Sequence, residues 1–243
     1  MSKPRVAVLV FPGTNSEEET VDACRDAGMD ARAILWSEPP ADLRSYQAYV
    51  IPGGFAYEDR VRAGAIAAKS RSVDVVREEA ARGKLVLGLC NGAQVVAEVG
   101  LLGDIAIAHN LPSGHFQCHI VDVQLAAPPD RCVFTAGMAP GTTMKMAMAH
   151  GEGRFTGAPE LFDRLEREGR ITFRFKDHAP NGAMHDAAGI TNEQGNVLAV
   201  MPHPERVAWN FNLTFTRSPL RRDDPRLPSQ SHEIFRSMAA SLA

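Results

Sequence analysis

Short apolar runs alternate with amphipathic stretches through the first half of the chain. Residues 5–10 form a nearly continuous apolar run, which predicts a strand buried on both faces. Ser16 followed by Glu17, Glu18 and Glu19 reads as a capping box, with acidic side chains in the first turn of a helix. That helix would bury Val21, Cys24 and Ala27 and stop at Gly28 in a left-handed C-terminal turn. Residues 31–36 and 48–51 predict two further strands. Residues 61–82 predict a mostly helical segment, broken near 70–72 and ended by Gly83. Another apolar strand follows at 84–89 and runs directly into a helix over 91–99. Strands alternating with helices imply right-handed crossovers and a parallel sheet covered on both sides.

The second half changes period. Residues 115–125, 142–149 and 171–175 predict strands with few helices between them. One helix, over 159–168, starts with Pro159 in its first turn and ends at Gly169; its charges, Glu166 among them, and the neighbouring Arg170 are expected on a solvated face. Residues 188–191 and 196–201 flank a turn at Gly195, a hairpin signal. Residues 216–231, rich in Pro, Arg, Asp and Ser, predict a loop or arm, and 232–242 a terminal helix. With no internal repeat and no separating linker, residues 1–243 are expected to form one domain.

Composition narrows the function classes. The 44% hydrophobic content is too high for a disordered chain, and 243 residues can bury a sizeable core. The 26 basic side chains against 29 acidic ones give a net charge of −3, which argues against a general nucleic-acid footprint. No apolar run approaches the length of a membrane helix. Cys24, Cys90, Cys118 and Cys132 lie far apart without a Cys-x-x-Cys pair, so a cytoplasmic protein with reduced thiols is expected. His115, Cys118 and His119 do not make a metal cluster, because on a strand the histidines and the cysteine face opposite sides. No phosphate-binding loop of the Gly-x-x-x-x-Gly-Lys type is present, so any ATP would have to bind another polypeptide.

Candidate chemistry gathers in three places. Gly88-Leu89-Cys90-Asn91-Gly92 joins a strand to a helix as a nucleophile elbow with cysteine in the serine's place. The glycines allow a sharp turn, and the helix N-terminus favours a thiolate. Taken alone, the same pattern also suits a buried structural cysteine. Met201-Pro202-His203-Pro204-Glu205 ends the last apolar strand and supplies a base and a carboxylate to orient it. Their i, i+2 spacing places them side by side if the extended conformation continues. Pro52-Gly53-Gly54-Phe55 follows a strand with unobstructed backbone N–H groups that, with the N–H of Asn91, could hold an oxyanion.

Three ordered blocks, Pro52-Gly53-Gly54-Phe55, Gly88-x-Cys90-Asn91-Gly92-x-Gln94 and Met201-Pro202-His203-Pro204-Glu205-Arg206, resemble those of class I (triad) glutamine amidotransferases. The chain is more closely similar to the glutaminase subunits of phosphoribosylformylglycinamidine synthase, through further blocks at 11–15, 62–66, 150–153 and 180–182. The resemblance implies a flavodoxin-like three-layer α/β glutaminase domain, with a mostly parallel central sheet and extra antiparallel strands in the C-terminal half. It implies Cys90 as nucleophile, His203 as base and acid, and Glu205 as its orienter. Gly54 and Asn91 would form the oxyanion hole, and Gly53 and Gln94 would bind the substrate, L-glutamine. It implies no metal or cofactor in this chain, ATP and Mg on a large synthase subunit, and a small third subunit in the complex. The ammonia would convert formylglycinamide ribonucleotide to the amidine in purine biosynthesis. Glu58 departs from the family pattern, standing where many relatives have glycine, and Ala93 replaces a common aromatic residue. Two rival expectations are a stand-alone cysteine hydrolase on the same fold and a non-enzymatic regulatory module.

Overall fold

In the computed structural model, which describes residues 2–213, 224 and 227–243, the alternating pattern becomes a layered α/β fold. The elements in chain order are β1 (Arg5–Val10), α1 (Glu17–Asp26), β2 (Asp30–Leu35), α2 (Pro40–Leu43), β3 (Ala48–Ile51), α3 (Arg71–Ala81), β4 (Leu85–Leu89) and α4 (Asn91–Glu98). There follow β5 (Ala106–His109), β6 (Gln117–Leu125), β7 (Thr143–His150), β8 (Glu152–Thr156), α5 (Pro159–Arg167), β9 (Ile171–Phe175), β10 (Ala187–Thr191), β11 (Val197–Val200) and α6 (Glu233–Ser241). Nine strands form one sheet in the order β2-β1-β3-β4-β11-β10-β9-β6-β7, and β5 pairs with β8 separately. The five strands from β2 to β11 pair parallel, whereas β11 to β7 pair antiparallel. The change of hand occurs at β11, immediately beside β4.

Successive strand residues feed opposite layers. Val86 of β4 packs into the apolar layer built with α2, α3, α4 and α5, whereas Leu85, Leu87 and Leu89 pack into the layer built with α1 and α6. Phe162 on the first side and Phe235 on the second are fully buried. Burial of side chains that size contributes about 1.5–3 kcal/mol each, so the sheet is held from both faces. No helix among the described residues is long and apolar enough to cross a membrane.

Several local expectations require correction. Ser16 occupies the N-cap position of α1, but its side chain makes no capping bond; the hydroxyl oxygen instead accepts the Gly53 N–H at 2.9 Å. The helix expected over 61–82 begins only at Arg71, after a short 3-10 turn at Ala67–Lys69. Gly64, at φ +79°, lies so close to α4 that a Cβ there would sit 2.8 Å from the Val95 nitrogen, which turns the chain away from a helical path. Ser70 caps α3 by accepting the Val73 N–H. Arg170 is buried rather than solvated: its guanidinium donates to the carbonyls of Thr191 at 3.1 Å and Leu102 at 3.0 Å. Of the arm expected over 216–231, residues 216–223 and 225–226 lie outside the described residues. In the remainder, Pro228 bridges to Trp209 and Gln230–His232 form a 3-10 turn.

Candidate active site

The first parallel crossover to reach the sheet centre delivers Cys90. Gly88 and Gly92 make this possible: a Cβ at Gly92 would lie 1.8 Å from the Ile51 carbonyl oxygen, and one at Gly88 would lie 2.7 Å from the Gly92 oxygen. Between them Cys90 takes φ 49°, ψ −104°, a strained conformation for a residue with a side chain, of the kind that concentrates at functional sites. Its N–H is tied to the Val200 carbonyl at 2.8 Å, so the turn is anchored to β11. The thiol sits at the N-terminus of α4 and donates to the Ala149 carbonyl at 3.7 Å.

His203 and Glu205 arrive from the end of β11. They are brought together differently from the extended geometry expected: Pro204 is helical, at φ −69°, ψ −32°, and Glu205 opens a 3-10 turn over Glu205–Val207. The turn sets Glu205 Oε1 2.5 Å from His203 Nδ1. Both residues are almost fully buried, at 2% and 1% exposure, so the pair is screened from water. His203 is further clamped to β7, its N–H donating to the Ala147 carbonyl at 2.7 Å. Burial alone would lower the His203 pKa, but the Glu205 carboxylate and the Cys90 sulfur facing the ring outweigh it and raise the pKa. The arrangement thus has a buried thiol, an imidazole in reach of it, and a carboxylate fixing the imidazole's other nitrogen.

Gly53 and Gly54 form the opposite wall. A Cβ on Gly53 would lie 2.4 Å from His203 Cε1, so only glycine lets the imidazole occupy its place. Gly54, at φ +151°, is equally confined by the Gly13 carbonyl and Thr14, and the Phe55 N–H donates to the Gly13 carbonyl at 2.8 Å. The Asn91 side chain ties this wall to the helix: Oδ1 accepts the Ala56 N–H at 3.1 Å, and Nδ2 donates to Asp59 at 3.2 Å and Gln94 at 2.8 Å. Gln94 in turn donates to the Glu152 carbonyl at 2.5 Å. Beside it opens a cavity of about 550 Å³ lined by Arg62, Gln94, Glu98, His109 and Glu152 among others.

The loop after Gly54 is unusual in its backbone. Tyr57, Glu58, Asp59 and Val61 all have positive φ, and Glu58, at 58°, occupies a conformation that glycine adopts freely. Val61 is 87% exposed. Asp59 is half-buried there, and desolvation together with the nearby Glu152 charge raises its pKa to about 6 despite the Asn91 hydrogen bond.

All seven residues expected at the site, Cys90, His203, Glu205, Gly53, Gly54, Asn91 and Gln94, therefore surround one centre. Sequence reasoning missed the part played by Ser16, which holds Gly53; Asp59 and Glu152 stood out in the sequence but were not expected to bond Asn91 and Gln94. The acidic run after Ser16 pointed to a helix cap instead, and no local pattern announces a serine that bonds across 37 positions.

The fold and this site define a glutamine amidotransferase: the CobB/CobQ-like glutamine amidotransferase domain family matches residues 3–240. The chain belongs, within that class, to the PurQ family of phosphoribosylformylglycinamidine synthase subunits. It is 43% identical over 209 residues to the PurQ subunit of Thermus thermophilus, covering 83% of this chain and 89% of that protein. It is 38% identical over 259 residues to that of Methanothrix thermoacetophila, covering 96% of each. A chain of the PurLQS structure from Thermotoga maritima superposes with a TM-score of 0.80 at 30% identity, covering 100% of both chains.

Proposed function

We propose that the chain acts as one glutaminase unit in which Cys90, His203 and Glu205 hydrolyse L-glutamine and the ammonia passes to a synthase subunit. The observation that carries the assignment is the buried 2.5 Å contact between His203 and Glu205 beside the strained Cys90 at the start of α4. Glu205 accepts the Nδ1–H of His203, which turns Nε2 toward the thiol and favours the thiolate–imidazolium pair. Cys90 attacks the side-chain carboxamide, and the N–H groups of Gly54 and Asn91 receive the oxyanion. His203 protonates the departing nitrogen, leaving a thioester on Cys90, and then activates the water that releases glutamate. Gly53 and Gln94 border the bound glutamine. The cavity with Arg62 and Glu152 offers both signs of charge to the zwitterionic end of the amino acid.

The chain itself needs no cofactor in this scheme. ATP and Mg act on a large synthase subunit that turns formylglycinamide ribonucleotide into the amidine, with a small third subunit completing the complex in the cytoplasm. The test is Cys90→Ala in the complex. Glutamine-dependent synthesis should vanish while synthesis from added ammonia persists; loss of both, with the complex intact, overturns the division of labour. Glu205→Ala should be milder, since in a serine triad the orienting carboxylate is worth about 10⁴-fold and the nucleophile about 10⁶-fold.

A further inference from the structure

His150 closes β7, is 3% exposed, and takes no part in the mechanism above. Its ring lies flat on Gly153: a Cβ there would be 2.0 Å from Cε1 and 2.4 Å from Nε2, so the glycine makes room for the imidazole. His150 Nδ1 is 3.1 Å from Asn110 Oδ1. The amide's orientation is fixed, because Asn110 Nδ2 donates to the carbonyls of His150 at 2.7 Å and His115 at 3.1 Å, while Oδ1 also accepts the Gly153 N–H at 3.2 Å. Nδ1 therefore carries the ring proton, and Nε2 is a bare lone pair. That nitrogen is buried and has no hydrogen-bond partner among the described residues. Burial first, and then the charges of His203 and His119, hold the His150 pKa down to about 3, so the ring is neutral at any working pH.

The position of this orphaned acceptor is informative. It sits on the strand that secures the catalytic groups: the preceding carbonyl, of Ala149, receives the Cys90 thiol, and Ala147 exchanges both backbone hydrogen bonds with His203. A buried acceptor without a donor is costly, and it persists where something other than the protein supplies the donor. Within the glutaminase reading, on which this step rests, the reaction itself produces such a donor.

The geometry points to His150 Nε2 as a hydrogen-bond acceptor for the ammonia released at Cys90, holding it in neutral form before it passes to the synthase. In the step concerned, the C–N bond of the tetrahedral intermediate breaks and its electron pair goes to the departing nitrogen. The proton on that nitrogen comes from His203, and the thioester stays on Cys90. The ammonia formed directs one N–H to His150 Nε2 and keeps its own lone pair. No proton passes to or from His150, whose neutral ring has no proton to spare at Nε2. His203 gives up its own proton in this step and is left a neutral base, so it has no proton with which to turn the free ammonia into ammonium.

The test uses the complex with the synthase and the variant His150→Phe, which fills the space without an acceptor. Glutamate released per amidine formed should rise about twofold to tenfold, the span of one neutral hydrogen bond, while synthesis from added ammonium salt is unchanged. A fall in glutamine turnover with an unchanged ratio would assign His150 a structural role and overturn the inference. Should the variant fail to fold, histidine ¹⁵N NMR on the unaltered chain decides. The expected result is a neutral Nδ1–H tautomer whose Nε2 signal moves when ammonia is added at alkaline pH; an Nε2–H tautomer, or no movement, refutes it. Persistence of glutamine-dependent synthesis in Cys90→Ala would instead bring down the glutaminase reading itself.

Discussion

Gly53 shows how a single missing side chain can carry a catalytic geometry. The space its Cβ would fill is already occupied by His203 Cε1, 2.4 Å away, with the Ser16 hydroxyl at 3.2 Å on the other side. Gly53→Ala must therefore push the imidazole away from Glu205 or drag the loop from Ser16. A misplacement of about 1 Å at a reacting group costs on the order of 10²-fold in rate. We expect a loss of at least that size in glutamate release by the complex, with a melting temperature close to that of the parent. An alanine variant of normal rate would show that the ring has another place to stand. A few residues on, Glu58 holds a positive φ that glycine would adopt freely, and its carboxylate is paired to Arg60 at 2.7 Å on the surface.

Among the elements, α3 offers the clearest charge-dependent stability. Glu79, buried on its inner side, is paired with Lys84 at 2.7 Å, with Arg44 at 2.9 Å and with Arg82. The Lys84 hydrogen bond leads the interactions that hold its pKa below the usual carboxylate range. Because the folded value is depressed, the stabilisation is complete above the unfolded pKa, near 4.3, and is lost as pH falls through the folded value. Glu79→Gln should cost roughly 1.5–3 kcal/mol at pH 7 and much less under acid. Thermal melts of both proteins at the two pH values check this; a deficit that persists in acid would count against it. The periodicity that made α1, α3, α4 and α5 legible was enough to place Cys90 and the layers. What it could not reveal were contacts that span the fold. The Ser16 hydroxyl bonds Gly53 instead of its own helix, Gly64 is bent by α4, and Arg170 caps carbonyls from two distant segments. The β5–β8 pair was likewise invisible, its strands being short and only half-buried in β5. The His203–Glu205 pairing was foreseen, but through a straight strand rather than the turn that makes it.

Across the whole molecule, two exposed rings stand beside the Gly54 loop and the turn after β7. Phe55 follows the oxyanion wall and Phe116 lies against Gly151, their centroids 6.2 Å apart. A partner pressing there touches the Gly54 loop and the turn beside His150 together. The isolated chain is therefore expected to release glutamate about 10²–10³-fold more slowly than the complex, the value of one oxyanion donor. Equal rates with and without the synthase would refute this and favour the stand-alone hydrolase. The four cysteines, finally, live in three different settings, and that dictates what a thiol reagent can report. Cys24 is buried with its pKa pushed up to about 12, and burial raises that of Cys132 as well. Cys118 is exposed, whereas Cys90 is buried at the start of α4 beside the His203 ring. A general maleimide should thus tag Cys118 and leave activity intact, and mass spectrometry would find one adduct on a working enzyme. A glutamine-shaped electrophile should do the reverse, so the stoichiometry of its labelling, unlike that of a maleimide, counts working sites even with Cys118 in place.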